Sequence, residues 1–127
     1  MKEIHALYKD QVEFLVVYIR EAHALDSRVP NLQGPLMEDP ISVLERAGAA
    51  TQCRAALDLP FRAVIDGMDD ATSHAYQGHP DRIYLVGKDG RIAYAGGRGP
   101  QGFDPDQLQV AIAAEVKKIS RCQREYF

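Results

Sequence analysis

The 127-residue sequence predicts an α/β domain in which one sheet carries both parallel and antiparallel strand pairs and helices flank it. Three observations carry that prediction. Residues 13–19, EFLVVYI, are almost continuously apolar and rich in β-branched and aromatic side chains. That is the composition of a strand covered on both faces, although periodicity alone leaves a buried helical turn open. Lys88-Asp89-Gly90 separates RIYLVG from RIAYAG, the Asp-Gly signal of a tight hairpin. Asp39-Pro40 and Asp104-Pro105 are helix starts, the acid able to cap free N–H groups and the proline preset for the first helical position.

In chain order, MKEIHALY places Ile4, Leu7 and Tyr8 at helical spacing, enough for one to two turns that hold only when packed. The strand at 13–19 follows. Residues 24–39 combine Pro30, Asn31, Gly34 and Pro35 with Val29, Leu32, Leu36 and Met37, an ordered loop with apolar groups available for packing. Loops of that length are often functional. Asp39-Pro40 then opens a helix over 41–57, with Leu44, Ala47 and Thr51 on its inner face. Leu59-Pro60 stops it, and FRAVID at 61–66 reads as a strand with Phe61, Ala63 and Ile65 on one side. The acidic DGMDD is expected as a solvated turn. After the hairpin, GGRGPQGF gives glycine freedom for a tight path into the last helix. That helix runs to about Arg121 with Leu108, Ala111, Ile112, Glu115 and Ile119 as its stripe.

Composition narrows the function. Fifteen basic against eighteen acidic side chains, a net charge of -3 and a pI near 5.8 leave no basic face for nucleic acid. The chain is expected to be a single domain over 1–127. Its longest strongly apolar stretch, residues 14–19, is far below the roughly 18–20 residues that cross a bilayer, and the charged start lacks the apolar core of a leader, so neither a membrane span nor a targeting segment is expected. Cys53 and Cys122 are too far apart in sequence for a CxxC pair and too few for a disulfide framework. A reducing, cytoplasmic compartment is the expectation.

Candidate chemistry concentrates where the first strand ends. In Arg20-Glu21-Ala22-His23 an ionisable group meets a loop at the carboxyl edge of a sheet, where open α/β sheets bind ligands. If these residues stay extended, Glu21 and His23 share a face. Histidine shuttles protons near neutral pH and a carboxylate can orient it, while the alternative is a surface histidine beside a solvated acid. Cys53 is a possible thiol site with Arg54 beside it, but the C-terminal half of a helix disfavours a thiolate, and an inert helix cysteine is the alternative. Cys122 in the terminal tail offers less. His5, His23, His74 and His79 form no zinc motif, and Asp66, Asp69, Asp70 and Asp81 lack the alternation of a calcium loop, so no metal is expected. GGRGPQG matches a phosphate loop in composition and not in pattern.

The run EFLVVYIREAHALD resembles the iodothyronine deiodinase family and its bacterial deiodinase-like relatives. Their pattern is DFL, two residues, YI, two residues, AH, two residues, DGW. Phe14, Leu15, Tyr18, Ile19, Ala22, His23 and Asp26 match it, Glu13 stands for the first aspartate, and Ser27-Arg28 replaces Gly-Trp. Further on, Pro60, Asp66, Tyr76, Pro80, Arg82, Tyr84, Gly90, Arg91, Ile92, Tyr94, Gly96, Gly99 and Pro100 stand at places similar to that family, so the likeness covers essentially the whole chain.

The resemblance implies a thioredoxin-like fold related to peroxiredoxins and an oxidoreductase served by a thiol reductant, with no other cofactor. It implies Glu21 and His23 as catalytic acid and proton-handling histidine, and Pro60 as a cis-proline shaping the site. It also implies dimerisation through Phe14, Leu15, Tyr18 and Ile19, hence a homodimer, with a small-molecule or thiol substrate. In that family a strand, a Cys- or selenocysteine-bearing turn and a long helix precede the YI strand. The present sequence starts at what resembles the last turns of that helix, so no cysteine stands at the nucleophile position. The expectation is a fold without its first strand and part of its first helix, in which the strands at 14–19 and 61–66 lack a shared neighbour and either recover pairing by self-association or pair directly in a rearranged sheet. Two functions compete: a redox enzyme, and a non-catalytic, self-associating interaction protein on the same scaffold.

Overall fold

The computed structural model describes residues 1–30, 32–33 and 36–125, with side chains through Lys118. Asn31, Gly34 and Pro35 of the long loop, and the side chains of Ile119 and Cys122, lie outside the described residues. In chain order the elements are α1 (Lys2–Tyr8), β1 (Leu15–Tyr18), α2 (Val43–Ala56), β2 (Arg62–Ile65), α3 (Ala71–Tyr76), β3 (Tyr84–Val86), β4 (Ile92–Ala95) and α4 (Pro105–Glu125). The mixed α/β class stands, consistent with a thioredoxin-like α/β fold. One expectation within it does not: among the described residues the strands form two separate two-stranded sheets, β1–β2 and β3–β4, and not one mixed sheet. The elements fall into two units, one spanning Lys2–Pro80 and the other beginning at Asp81. None of the described helices is long and apolar enough to cross a membrane.

In the Lys2–Pro80 unit, β1 and β2 pair directly and in parallel, from Leu15 opposite Arg62 to Tyr18 opposite Ile65. The absent neighbour expected between them is therefore not needed for their pairing; α2 supplies the crossover that a parallel pair requires. The Asp66 N–H extends the ladder onto the Tyr18 carbonyl at 2.9 Å. Before these strands, Phe14 and Phe61 stack 5.7 Å apart, and the His5 ring of α1 meets both at 5.1 and 5.3 Å. Ile4 is buried beside this chain start, whereas Leu7, expected on the same stripe, is exposed.

Two corrections concern α2. It starts at Val43 behind Ser42, and not at Asp39-Pro40. The Ser42 hydroxyl accepts from the Glu45 N–H at 3.2 Å while Glu45 accepts from the Ile41 N–H at 2.9 Å, a reciprocal cap that satisfies two otherwise free donors. Its buried residues are Arg46, Ala49 and Ala50; Leu44 is 85% exposed and Thr51 is exposed, its hydroxyl donating back to the Ala47 carbonyl at 2.8 Å. The Arg46 side chain, 3% exposed, donates to the Gly67 carbonyl at 2.6 Å and to Asp70 at 2.9 Å. It thereby fixes the turn after β2.

That turn is not the solvated acidic loop expected. Asp66 is buried and accepts from the backbone N–H groups of Gly67 at 2.8 Å, Thr72 at 3.0 Å and Ser73 at 2.7 Å, so its carboxylate organises the start of α3. These bonds outweigh the burial that opposes ionisation and hold the carboxyl below the usual aspartate range. Pro60 also departs from expectation: among the described residues the cis peptide bonds precede Pro80 and Pro100, and Pro60 has none. Residue 60 only leads the chain from the end of α2 into β2. In the long loop, Val29, Leu32 and Leu36 are exposed, and Met37 alone of the four apolar residues is half-buried.

The unit from Asp81 follows its sequence signals closely. Tyr84 pairs with Ala95, Leu85 with Tyr94 and, across a bulge, Val86 with Ile92. Gly90 takes the left-handed conformation of the turn (φ 76°), which a side chain would strain. Asp104 accepts from the Gln107 N–H at 3.0 Å and starts α4, whose Leu108 and Ile112 are buried where the helix packs on β3 and β4. At Gly102 an added Cβ would run into the backbone of Gly97 and Arg98, the steric reason for glycine in this loop.

Candidate site at the end of the first strand

Beyond Tyr18 the ladder ends and the chain bends, which turns the polar groups of 20–29 toward the loop that returns at 36–40. The Leu25 N–H donates to the Met37 carbonyl at 2.8 Å, the Asp39 N–H to Asp26 at 2.9 Å, and Arg20 Nε to the Asp39 carboxylate at 2.9 Å. Ala24, 1% exposed, is the apolar peg under this clasp. Asp39, expected as a helix cap, instead ties the two segments together.

Inside the clasp, the Tyr18 hydroxyl donates to Glu21 Oε2 at 2.7 Å and lies 3.7 Å from Met37 Sδ. Glu21 Oε1 accepts from the His23 backbone N–H at 3.4 Å. His23 Nδ1 is 2.9 Å from the Val29 carbonyl, and since a carbonyl only accepts, this nitrogen carries the proton. This bond leaves Nε2 as the ring nitrogen free to exchange a proton, and the His23 side chain is exposed. The structure thus brings Glu21 and His23 together, although a bent chain does so and not the extended one expected.

Cys53, half-buried in the last turns of α2, is pushed upward in pKa by burial and then by the charge of Glu21. At neutral pH it is a thiol, the less nucleophilic form. Tyr18 is raised well above the ordinary tyrosine range, first by burial, then by its bond to Glu21 and by the surrounding negative charge. It therefore stays a donor. Of the residues expected at an interface, Phe14 is buried, Tyr18 and Ile19 are half-buried, and Leu15 is exposed. Tyr18 thus belongs to the polar site, which its place in an apolar run did not disclose. Among the described residues no set of three His, Cys, Asp or Glu side chains is arranged to hold a metal ion. Chemically the arrangement can accept and deliver a proton at His23, against a carboxylate that a half-buried phenol holds in place.

The sequence is similar to those of known proteins. The family model described as iodothyronine deiodinase matches residues 1–115. Among similar proteins, a thyroxine 5-deiodinase of Sparus aurata is 37% identical over 102 residues, covering 80% of this chain and 38% of its own length. One from Gallus gallus is 33% identical over 109 residues, covering 85% of this chain and 41% of its own, and one from Homo sapiens is 32% identical over 102 residues, 80% and 33%. The chain spans about a third to two-fifths of the length of these relatives.

Proposed function

The chain belongs to the iodothyronine deiodinase family, and from that premise we propose that it serves a redox reaction of the oxidoreductase type, with Tyr18, Glu21 and His23 as its proton-handling group. The observation that carries this reading is the Tyr18–Glu21–His23 chain of hydrogen bonds. Removing iodide reductively from a carbon replaces a C–I bond with a C–H bond and takes two electrons and one proton. Reducing a peroxide likewise takes two electrons and two protons. In either case a thiolate attacks, and with no described cysteine suited to that role the thiol reductant supplies both the attacking thiolate and the two electrons, ending as its disulfide. His23 Nε2 delivers or accepts the proton; Val29 fixes its tautomer, and Glu21, held by Tyr18, orients the backbone that carries it. The need for a thiol reductant fits a reducing, cytoplasmic compartment.

Cys53 is poorly suited to be the attacking group, since burial and Glu21 keep it protonated. The test is dithiothreitol-dependent turnover of an iodothyronine and of hydrogen peroxide. His23→Gln is expected to lower kcat by about 10²–10⁴-fold, the usual contribution of a positioned acid or base, while Cys53→Ser leaves it unchanged. Turnover indifferent to His23→Gln overturns the proton-handling role.

A second reading has its own observation. The ladder parity set by Asp66 and Tyr18 turns the backbone of Leu15 and Val17 away from β2, so one edge of β1 is open beside exposed apolar side chains. Such an edge favours self-association, a homodimer formed through β1 and its flanks, with or without catalysis. Absence of turnover with either substrate, together with a stable dimer, is the result expected if this reading alone holds.

A further inference from the structure

We propose that the outer edge of β2 accepts an extended acidic peptide as an added strand, seated in the groove between β2 and α2. This does not rest on the redox reading.

The geometry begins with one hydrogen bond. Because the Asp66 N–H meets the Tyr18 carbonyl, alternation along the strand turns the backbone groups of Arg62 and Val64 toward β1 and those of Phe61, Ala63 and Ile65 outward. The Phe61 carbonyl is occupied by Arg54 Nε at 3.2 Å. Among the described residues, the outward N–H and C=O groups of Ala63 and Ile65 have no backbone partner outside the sheet. They are spaced as a strand template.

Beside this edge lies a groove of about 540 Å³, walled by Ala47, Ala50, Thr51 and Ala55 of α2. Small side chains on the helix leave room for a backbone at strand spacing, roughly 4.8 Å from β2. Arg54 and Arg62 also line the groove, and among the described residues neither forms an ion pair. The one acid in the lining, Asp58, is held by Lys2 Nζ at 3.2 Å. The groove is therefore net positive, and the peptide that complements it bears carboxylates at alternate positions, since residues two apart share a face in an added strand. A second copy of this chain pairing through the same edge would instead bring like charges together, Arg54 and Arg62 from each side.

The experiment follows amide exchange by NMR on the full chain while titrating a blocked Glu-Val-Glu-Val-Glu peptide, with Lys-Val-Lys-Val-Lys as the counterpart. Expected are slowed exchange at the Ala63 and Ile65 amides with the acidic peptide and at least tenfold weaker binding of the basic one. Arg62→Glu, an exposed substitution, should weaken the acidic peptide about tenfold with an unchanged circular dichroism spectrum. Ala63→Pro removes an outward donor while sparing the β1 ladder and should do the same. Equal affinity for both peptides, no protection at millimolar peptide, or protection that grows with protein concentration alone, which would mean a second copy, each overturns the proposal.

Discussion

Glu21 exerts its charge on two neighbours, and both effects are measurable. The Tyr18 phenol donates to it and is raised above the ordinary tyrosine value of about 10. A raised folded-state value favours the protonated form. Its contribution to stability is thus complete below pH ~10 and is lost as pH rises through the higher folded value. Absorbance titration near 295 nm should show a tyrosinate component well above pH 10 that Tyr18→Phe abolishes. Cys53 is raised by burial and by the same carboxylate. In a Cys122→Ser background, iodoacetamide should alkylate it more slowly than free cysteine at pH 7, and Glu21→Gln should speed the reaction a few-fold by removing the charge. An unchanged rate would mean that burial alone governs the thiol. At this scale Glu21 and His23 were legible in the sequence, because their side chains have chemistry that an apolar run does not hide. Tyr18 was not, since a tyrosine inside LVVYI reads as strand packing and only the bend after it shows where its hydroxyl goes.

At the scale of elements, the sequence was clearest where local chemistry decides and weakest where burial does. The Asp-Gly hairpin and the Asp104 cap are local rules, and both are present, whereas the same acid–proline signal at Asp39-Pro40 starts no helix because Asp39 is taken by Arg20. The buried side of α2 is Arg46, Ala49 and Ala50, so a search for large apolar residues at helical spacing selects Leu44, which faces water. DGMDD reads as solvated turn because the burial of Asp66 depends on α3 folding over it, a short helix without a strong apolar period. That burial carries a prediction. Asp66 accepts three backbone donors, and Asp66→Ala, which leaves them unsatisfied, should cost about 3 kcal/mol in urea denaturation at pH 7. Its folded-state pKa is lowered, so the contribution of the carboxylate is present above the unfolded value of about 3.9 and is lost as pH falls through the lower folded value. Wild type and Asp66→Ala should therefore converge in stability below that range. Arg46→Ala, which strands Asp70 and the Gly67 carbonyl, should cost about 3 kcal/mol as well.

At the scale of the whole molecule, the α/β class was legible from apolar runs and turn signals, whereas the number of sheets was not, because strand neighbours depend on pairing across the chain. Of the ways residues 14–19 and 61–66 could satisfy their edges without a shared neighbour, self-association or direct pairing, the structure takes the second, a direct parallel ladder. What that ladder leaves is an outward β1 edge, with Leu15 48% and Val17 37% exposed. An edge of this kind, carrying neither proline nor charge within LVVY, lacks the usual protections against pairing with another chain. Size-exclusion chromatography with light scattering should accordingly give a dimer at micromolar concentration. Val17→Pro removes one outward N–H while leaving the inward groups that bond β2, so it should raise the dimer dissociation constant at least tenfold and keep the circular dichroism spectrum. Ala63→Pro, on the other strand, should leave the dimer intact. A compact monomer at high micromolar concentration would remove self-association through β1, and a dimer indifferent to Val17→Pro would move the contact to a different surface.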